Sequence, residues 1–211
     1  MLQHLILKLP LQQSKIINMK NSIILTAAVL FTWVAQAQSS WNFDKTHSSV
    51  TFTIAHMVVS EVAGNFKEFS AEVKSDKADF SDLNTTFTIQ TASVNTEDAG
   101  RDEHLRGADF FDASKYPTIV FVSTGIKKVT EKKYTLEGTM TLHGVTKPIS
   151  WELTYNGSIK DNKGATHAGF KATTTIPRKD YNLSWNKTLD AGGVALGDEV
   201  PVTVHVELTR K

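Results

Sequence analysis

The sequence predicts an all-β domain, an antiparallel barrel of about eight strands with one short helical insertion. Apolar and polar residues alternate through most of the chain after residue 38, and no helical crossover of the kind that parallel strands need separates the alternating segments. Antiparallel strands in this number form either an aligned sandwich or a closed barrel. Several segments are about ten residues long, which favours an up-and-down barrel.

Alternation with a period of two marks the individual strands. The alternating segments are 50–54, 86–90, 134–142, 149–155, 168–176 and 200–208, and we add 65–74 and 118–127. Each such pattern predicts a strand with one apolar and one solvated face. Three turn signals, Asn156-Gly157, 161–164 (DNKG) and Gly192-Gly193, are expected to separate strands.

The segment 96–117 breaks the alternation and predicts the helical insertion. Thr96, followed by Glu97 and Asp98, is typical of a helix N-terminus at which the threonine caps the first turn. A second short turn ends at Pro117. The next strand is apolar on both faces over 119–122, so we expect the insertion to cover its outer face.

The first 37 residues have the pattern of a targeting segment. Met19 is followed by Lys20, a mostly apolar run over 23–34 and a small-x-small triplet at 35–37. This pattern predicts a secretory signal peptide, with a buried N-terminal helix as the alternative. The apolar run is too short for a membrane-spanning helix, which needs about 20 residues. Cleavage would leave 38–211 as a single domain, and 1–18 would be a surplus upstream start. In a Gram-negative host the product is expected in the periplasm.

Charge and cysteine content exclude several classes of function. The chain has no cysteine, which rules out disulfides, thiolate metal sites and cysteine nucleophiles. Three basic residues and no acid precede residue 38, so the remaining 174 residues carry 20 basic and 22 acidic side chains, a net charge of −2. This balance argues against a nucleic-acid binder. Nucleotide-loop, serine-elbow and HExxH motifs are also lacking, so we predict no catalytic activity, no metal and no cofactor.

A series of motifs in the predicted domain resembles a known family. In chain order they are 44–50 (DKTHSSV), 64–66 (GNF), 93–96 (SVNT), 101–106 (RDEHLR), 109–112 (DFFD), 116–117 (YP), 138–148 (GTMTLHGVTKP), 178–182 (RKDYN) and 197–200 (GDEV). With these motifs, the chain from Trp41 to Lys211 resembles the YceI-like family of secreted, polyisoprenoid-binding proteins.

The resemblance implies a lipocalin-like, extended antiparallel barrel whose apolar interior encloses an isoprenoid, such as a polyprenyl phosphate or a quinone tail. It implies a carrier or storage protein rather than an enzyme. The candidate walls are the side chains that the alternation turns inward, namely Phe52, Ile54, His56, Phe66, Phe87, Ile89, Phe121, Met140, Leu142, Trp151, Leu153 and Phe170. The alternative is that they meet as an ordinary core, because eight-stranded barrels are often filled by side chains.

Candidate contacts to a polar head group lie in the insertion. Arg101, His104 and Arg106 are the candidates there, since the planar guanidinium fork binds phosphate well. Acidic neighbours such as Asp102 and Asp109 support an alternative, an Arg–Asp network that fixes the insertion to the barrel. Phe110 and Phe111 are expected to wedge the insertion into the barrel end, where they would also gate the interior.

Two alternatives to lipid carriage stay open on the sequence. A metal-assisted enzyme would work at the insertion end with His56, His104 or Arg101, although the histidines lack the usual HxH or HxxxH spacing of a metal site. An interaction module would have a solid barrel and would bind its partner through surface loops. The expected partners are an isoprenoid lipid, no nucleic acid, and a membrane in transient contact. A homodimer is a further alternative, in which an exposed strand or the insertion forms the interface.

Overall fold

The structure is a computed structural model that describes residues 38–190 and 193–211, and these residues form ten β-strands and one α-helix. The strands are β1 (Ser40–His56), β2 (Ser60–Phe66), β3 (Phe69–Lys74), β4 (Asn84–Gln90), β5 (Val94–Asn95), β6 (Thr118–Lys128), β7 (Lys133–Leu142), β8 (Val145–Lys160), β9 (Thr166–Pro177) and β10 (Glu199–Arg210). The helix α1 spans Ala99–Arg106. The predicted signal peptide at 1–37, and Gly192 of the third turn signal, lie outside the described residues.

Eight of the strands close into an antiparallel barrel. Their order around the barrel is β1-β3-β4-β6-β7-β8-β9-β10, and β10 closes the ring by pairing with β1, so that Val50 lies opposite Val204. Strand β2 pairs with the second half of β1, and β5 pairs with the end of β2. The predicted all-β barrel of about eight strands with a short helical insertion is confirmed.

Two predicted strand boundaries are wrong. The segment 65–74 is split into β2 and β3, because Lys67 and Glu68 between them hydrogen bond to the backbone beside β4 instead of continuing one strand. Asn156-Gly157 does not end a strand but lies inside β8, where the register shifts next to Tyr155. Gly157 has φ of 122°, a backbone conformation that glycine adopts readily, and it serves as a bulge rather than a turn.

The alternation correctly predicts which side chains point inward. In β7 the buried residues are Tyr134, Leu136, Gly138, Met140 and Leu142, and the residues between them are more exposed. Elsewhere several inward side chains keep accessible surface, among them Phe52 and Ile54 of β1 and Val202 of β10. This residual surface arises because these side chains face a void instead of a packed core.

One end of the barrel is closed by an aromatic plug. Phe80, in the connection between β3 and β4, is 1% exposed, and its ring centroid lies 4.9 Å from that of Trp41 and 4.8 Å from that of Phe170. The Arg210 guanidinium lies 4.3 Å from the centroid of the Trp41 ring, and the Trp41 indole N–H donates to the Ser75 carbonyl. Access to the interior is therefore restricted to the opposite end.

The insertion lies across that opposite end, not over the outer face of β6 as predicted. Val122 on that outer face is 43% exposed, whereas Phe110 of the insertion is buried. Helix α1 is capped by Asp98, whose carboxylate accepts from the Arg101 backbone N–H at 2.9 Å. The predicted cap, Thr96, is two residues too early because its hydroxyl donates to the Asp102 carboxylate instead. No helix within the described ranges is both long enough and apolar enough to cross a bilayer.

Candidate functional site

The barrel encloses a cavity of about 460 Å³ with almost entirely apolar walls. This volume is in the range of pockets that bury most of a small organic ligand. The interior is thus hollow, so the solid barrel assumed by the interaction-module alternative is wrong.

Every candidate residue from the sequence except Arg106 borders this cavity. The barrel wall contributes Phe52, Ile54 and His56 from β1, Phe66 from β2, Phe87 and Ile89 from β4, Phe121 from β6, Met140 and Leu142 from β7, Trp151 and Leu153 from β8, and Phe170 from β9. The insertion contributes Arg101, His104, Phe110 and Phe111. Their role in holding a ligand stays a prediction, but the structure brings all of them to one site.

Sequence analysis missed part of the cavity wall. Strand β10 lines it with Val200, Val202, Val204, Val206 and Leu208, and the connection between β9 and β10 adds Leu183, Trp185, Ala195 and Leu196. The regular alternation of β10 was a sufficient signal for its valines. The connection has no periodic pattern, so its contribution could not be found from spacing.

The mouth of the cavity is covered by an aromatic cluster of His104, Phe110 and Trp185. The ring centroid of His104 lies 4.9 Å from that of Phe110 and 5.1 Å from that of Trp185, and the last two are 5.0 Å apart. His104 Nε2 also lies 3.2 Å from the Asp109 carboxylate. The insertion and the β9–β10 connection therefore meet over the opening through side chains alone. The two elements can move apart without breaking the pairing of any strand.

Arg101 lies beside this cluster and is held by Thr96. Its Nε donates to the Thr96 hydroxyl at 2.7 Å and its Nη2 donates to the Thr96 carbonyl at 2.9 Å. The Thr96 hydroxyl in turn donates to Asp102, which is 4% exposed. Within the described part of the chain, no carboxylate lies within 4.0 Å of the Arg101 guanidinium. The guanidinium is thus fixed in place at the mouth without a directly paired anion.

The predicted Arg–Asp network is therefore wrong in its partners. Arg106, like Arg101, binds oxygen atoms of the main chain, donating to the Ala92 carbonyl at 2.8 Å and to the Val94 carbonyl at 3.0 Å. These bonds attach α1 to the strand-like segment around β5. The insertion is fixed to the barrel as expected, but by backbone carbonyls that have no charge.

Arg178 fixes the other cover of the mouth. It is 3% exposed, and it donates to the carbonyls of Gly197, Leu183 and Trp185 at 2.8, 2.6 and 2.9 Å. Burial lowers the pKa of its guanidinium, while Asp198, with an oxygen 3.5 Å away, opposes that shift. Arg178 gathers three backbone carbonyls into one place, which positions Trp185 over the cavity.

The residues best placed to hold a metal lie away from the cavity. Ligand atoms of Asp44, His47 and Glu207 come within 4.8 Å of one another, and among the described residues no other group of three potential ligands is this close. His47 Nδ1 lies 2.9 Å from Asp44 Oδ2, and this hydrogen bond raises the pKa of the His47 imidazole. A histidine that shares its proton with a carboxylate forms an ion pair without a metal. The cluster includes neither His56 nor His104, so it gives no support to a metal-assisted enzyme at the insertion end.

The chain matches known proteins over nearly all of the described domain. The sequence profile of the YceI-like domain matches residues 41–208. A UPF0312 protein of Staphylococcus aureus is 37% identical over 172 residues, which cover 81% of this chain and 98% of that protein.

Solved structures with the same fold agree with this match. The Campylobacter jejuni YceI protein aligns with a TM-score of 0.65 at 34% identity, covering 75% of this chain and 90% of its own. Burkholderia cenocepacia BcnA aligns with a TM-score of 0.67 at 27% identity, covering 79% and 99%. A polyisoprenoid binding domain from Saccharophagus degradans aligns with a TM-score of 0.57 at 15% identity, covering 83% and 100%, a likeness of fold alone. On the family profile and the 37% identity, the chain belongs to the YceI-like family.

Proposed function

We propose that this protein is a carrier or storage protein that binds an isoprenoid lipid noncovalently inside its barrel. The observation that carries the proposal is the apolar cavity of about 460 Å³, which is closed at one end by the Phe80 plug. Each buried CH₂ contributes ~0.8 kcal/mol, so one five-carbon isoprene unit contributes about 4 kcal/mol before the costs of ordering the chain. A short run of such units gives useful affinity without any specific polar contact.

The choice of an isoprenoid among lipids has a second support. The related fold in Saccharophagus degradans is described as a polyisoprenoid binding domain, although the low identity transfers only the fold. A branched, unsaturated chain also fits a wall rich in phenylalanine and valine, since such walls are stiff and are shaped by rings and branched side chains. Binding of this kind needs no cofactor and no catalytic group.

We further propose that Arg101 receives the head group when that group is anionic. Its guanidinium borders the cavity, is oriented by Thr96 and has no carboxylate partner within 4.0 Å in the described chain. A phosphate at the mouth would accept charge-assisted hydrogen bonds from the free side of this fork. A polyprenyl phosphate would therefore bind with its tail in the barrel and its phosphate beside α1.

The location that we propose is outside the cytoplasm, in the periplasm of a Gram-negative host. The support is the pattern at 19–37, a basic residue followed by an apolar run and a small-x-small triplet. A lipid with a long apolar tail cannot cross an aqueous compartment alone, and a soluble barrel that encloses the tail removes this barrier.

The test is to identify what the protein contains when it is purified from its own host. Organic extraction followed by mass spectrometry should recover an isoprenoid near one molecule per chain. Repeated empty extracts, together with no uptake of added geranylgeraniol or geranylgeranyl phosphate, would contradict the proposal.

A further inference from the structure

The hairpin between β1 and β2 has an exposed apolar tip, which consists of Met57, Val58 and Val59. Val58 and Val59 are 86% and 85% exposed, and Met57 is 44% exposed. Val194 of the β9–β10 connection is also 44% exposed, and the neighbouring Ala195 carbonyl accepts from the Met57 N–H at 2.8 Å. The apolar tip and this connection are thus joined by backbone hydrogen bonding.

The backbone of the apolar tip is unfavourable for the residues that occupy it. Met57 and Val58 have φ values of 52° and 64°, in the left-handed region. Turns with this backbone usually take Asn, Asp or Gly, and a β-branched residue with positive φ is an outlier. Neither burial nor local conformation explains two exposed valines here. Contact between the apolar tip and a surface that is not part of this protein does explain them.

The apolar tip lies at the mouth end of the barrel. His56 and Val62, on either side of it, both border the cavity, and so does Leu196, which bridges to His56. The plug formed by Phe80 closes the opposite end. A surface that touches the tip therefore lies next to the opening through which a ligand passes.

On the basis of the proposed lipid-carrier function, we propose that the apolar tip inserts into the surface of a lipid bilayer and holds the cavity mouth against it. The tip and Val194 together fall short of the about 800 Å² that each partner contributes to a stable protein interface. A narrow apolar protrusion instead suits the boundary between lipid head groups and acyl chains. The charged residues beside the contact, Glu61, Lys187 and Asp190, include both signs, so binding should depend little on salt.

The experiment compares two variants of the protein produced from the full sequence. Val58→Asp with Val59→Asp removes the apolar character of the tip. Val129→Asp is the matched control, because Val129 is 63% exposed and lies in the turn between β6 and β7 at the plugged end. Both variants have the same N-terminal segment as the wild type, so the difference between them reports on the tip.

Two measurements are made on each protein. The first is binding to phosphatidylcholine vesicles by sedimentation, and the second is uptake of a fluorescent geranylgeraniol, supplied either in those vesicles or from an ethanol stock. The tip variant should bind vesicles about a hundredfold more weakly than the wild type, since each of the two valines contributes roughly a tenfold factor when buried. Its uptake from vesicles should slow accordingly, while its uptake from ethanol and its melting temperature stay unchanged. The control should match the wild type throughout.

The outcomes separate this inference from the carrier function. Equal vesicle binding by the tip variant and the wild type overturns the inference, as does a wild type that takes up geranylgeraniol from ethanol but binds no vesicles. No uptake by the wild type from either source contradicts the carrier function itself. Should the double aspartate fail to fold, Val58→Asn replaces it, because Asn is favoured in the left-handed turn and still removes the most exposed apolar side chain.

Discussion

Two alanines on β9 test whether the barrel is hollow where a ligand would lie. Ala168 and Ala172 are four residues apart on one strand and point to the same inner face. Ala172 borders the cavity, whereas Ala168 is 1% exposed and does not border it. The substitutions Ala172→Phe and Ala168→Phe therefore place the same ring in a void and in packed core.

The two substitutions should have opposite effects on stability. In the cavity a phenyl ring fills empty space, so Ala172→Phe should raise the free energy of unfolding of the ligand-free protein by about 0.5–2 kcal/mol. In the packed region Ala168→Phe should lower it by about 1–3 kcal/mol through overpacking. Urea denaturation of delipidated protein measures both changes.

Ligand binding should change in the direction opposite to stability for Ala172→Phe. The ring takes the space of roughly one isoprene unit, which is worth about 4 kcal/mol of buried hydrocarbon. Even if the chain shifts and recovers two thirds of this, the affinity for fluorescent geranylgeraniol should fall about tenfold. Unchanged affinity, or a loss of stability equal to that of Ala168→Phe, would refute a ligand-sized void beside Ala172.

Three further predictions concern the mouth and the outer wall. Arg101→Ala should weaken binding of geranylgeranyl phosphate about tenfold and leave geranylgeraniol binding unchanged, and equal loss for both lipids would assign Arg101 to scaffolding. Arg178→Met leaves three backbone carbonyls without their donor, so thermal and urea unfolding should show a loss of about 2–4 kcal/mol, whereas a neutral effect would contradict its role in holding Trp185. Hydrogen bonds to Glu207 and then Asp161 raise the pKa of His167 above its usual 6.5. The resulting stabilisation should be fully present below about pH 6.5 and be lost as pH rises through the raised pKa. His167→Gln should reduce this pH dependence of unfolding, and the part that remains comes from His47, whose pKa is also raised.

The strand pattern of the sequence predicted most of the barrel because period-two alternation reports directly on which face of a strand is apolar. It predicted the inward residues of β7 from Tyr134 to Leu142 correctly. It also predicted a turn at Asn156-Gly157 that is a bulge in β8, since glycine with positive φ serves both structures and only strand pairing distinguishes them.

The hollow could not be predicted from alternation. Phe52 and Tyr134 both point inward by pattern, yet Tyr134 is buried in packed core and Phe52 keeps surface toward the cavity. The difference depends on how far opposite walls stand apart, which is set by the number and tilt of the strands rather than by any one segment. The residues that cover the mouth could not be predicted from alternation either, because Trp185 lies in an irregular connection that Arg178 holds in position.

The apolar tip was also not identified from the sequence, since a short apolar run between two alternating segments looks like a continuation of the strands. Only the backbone of the structure, with positive φ at Met57 and Val58, places it in an exposed turn. Its position beside the cavity mouth depends on how β1 pairs with β2 and on which end of the barrel is open. The local sequence of the hairpin specifies neither.

The measurement that tests lipid carriage most directly is a crystal structure of the protein isolated from its own host without added lipid. Carriage predicts elongated density along the valines of β10 that ends near Arg101, in a barrel that remains plugged at Phe80. A barrel interior filled by its own side chains, or occupied by ordered water alone in protein that has never been delipidated, would contradict it.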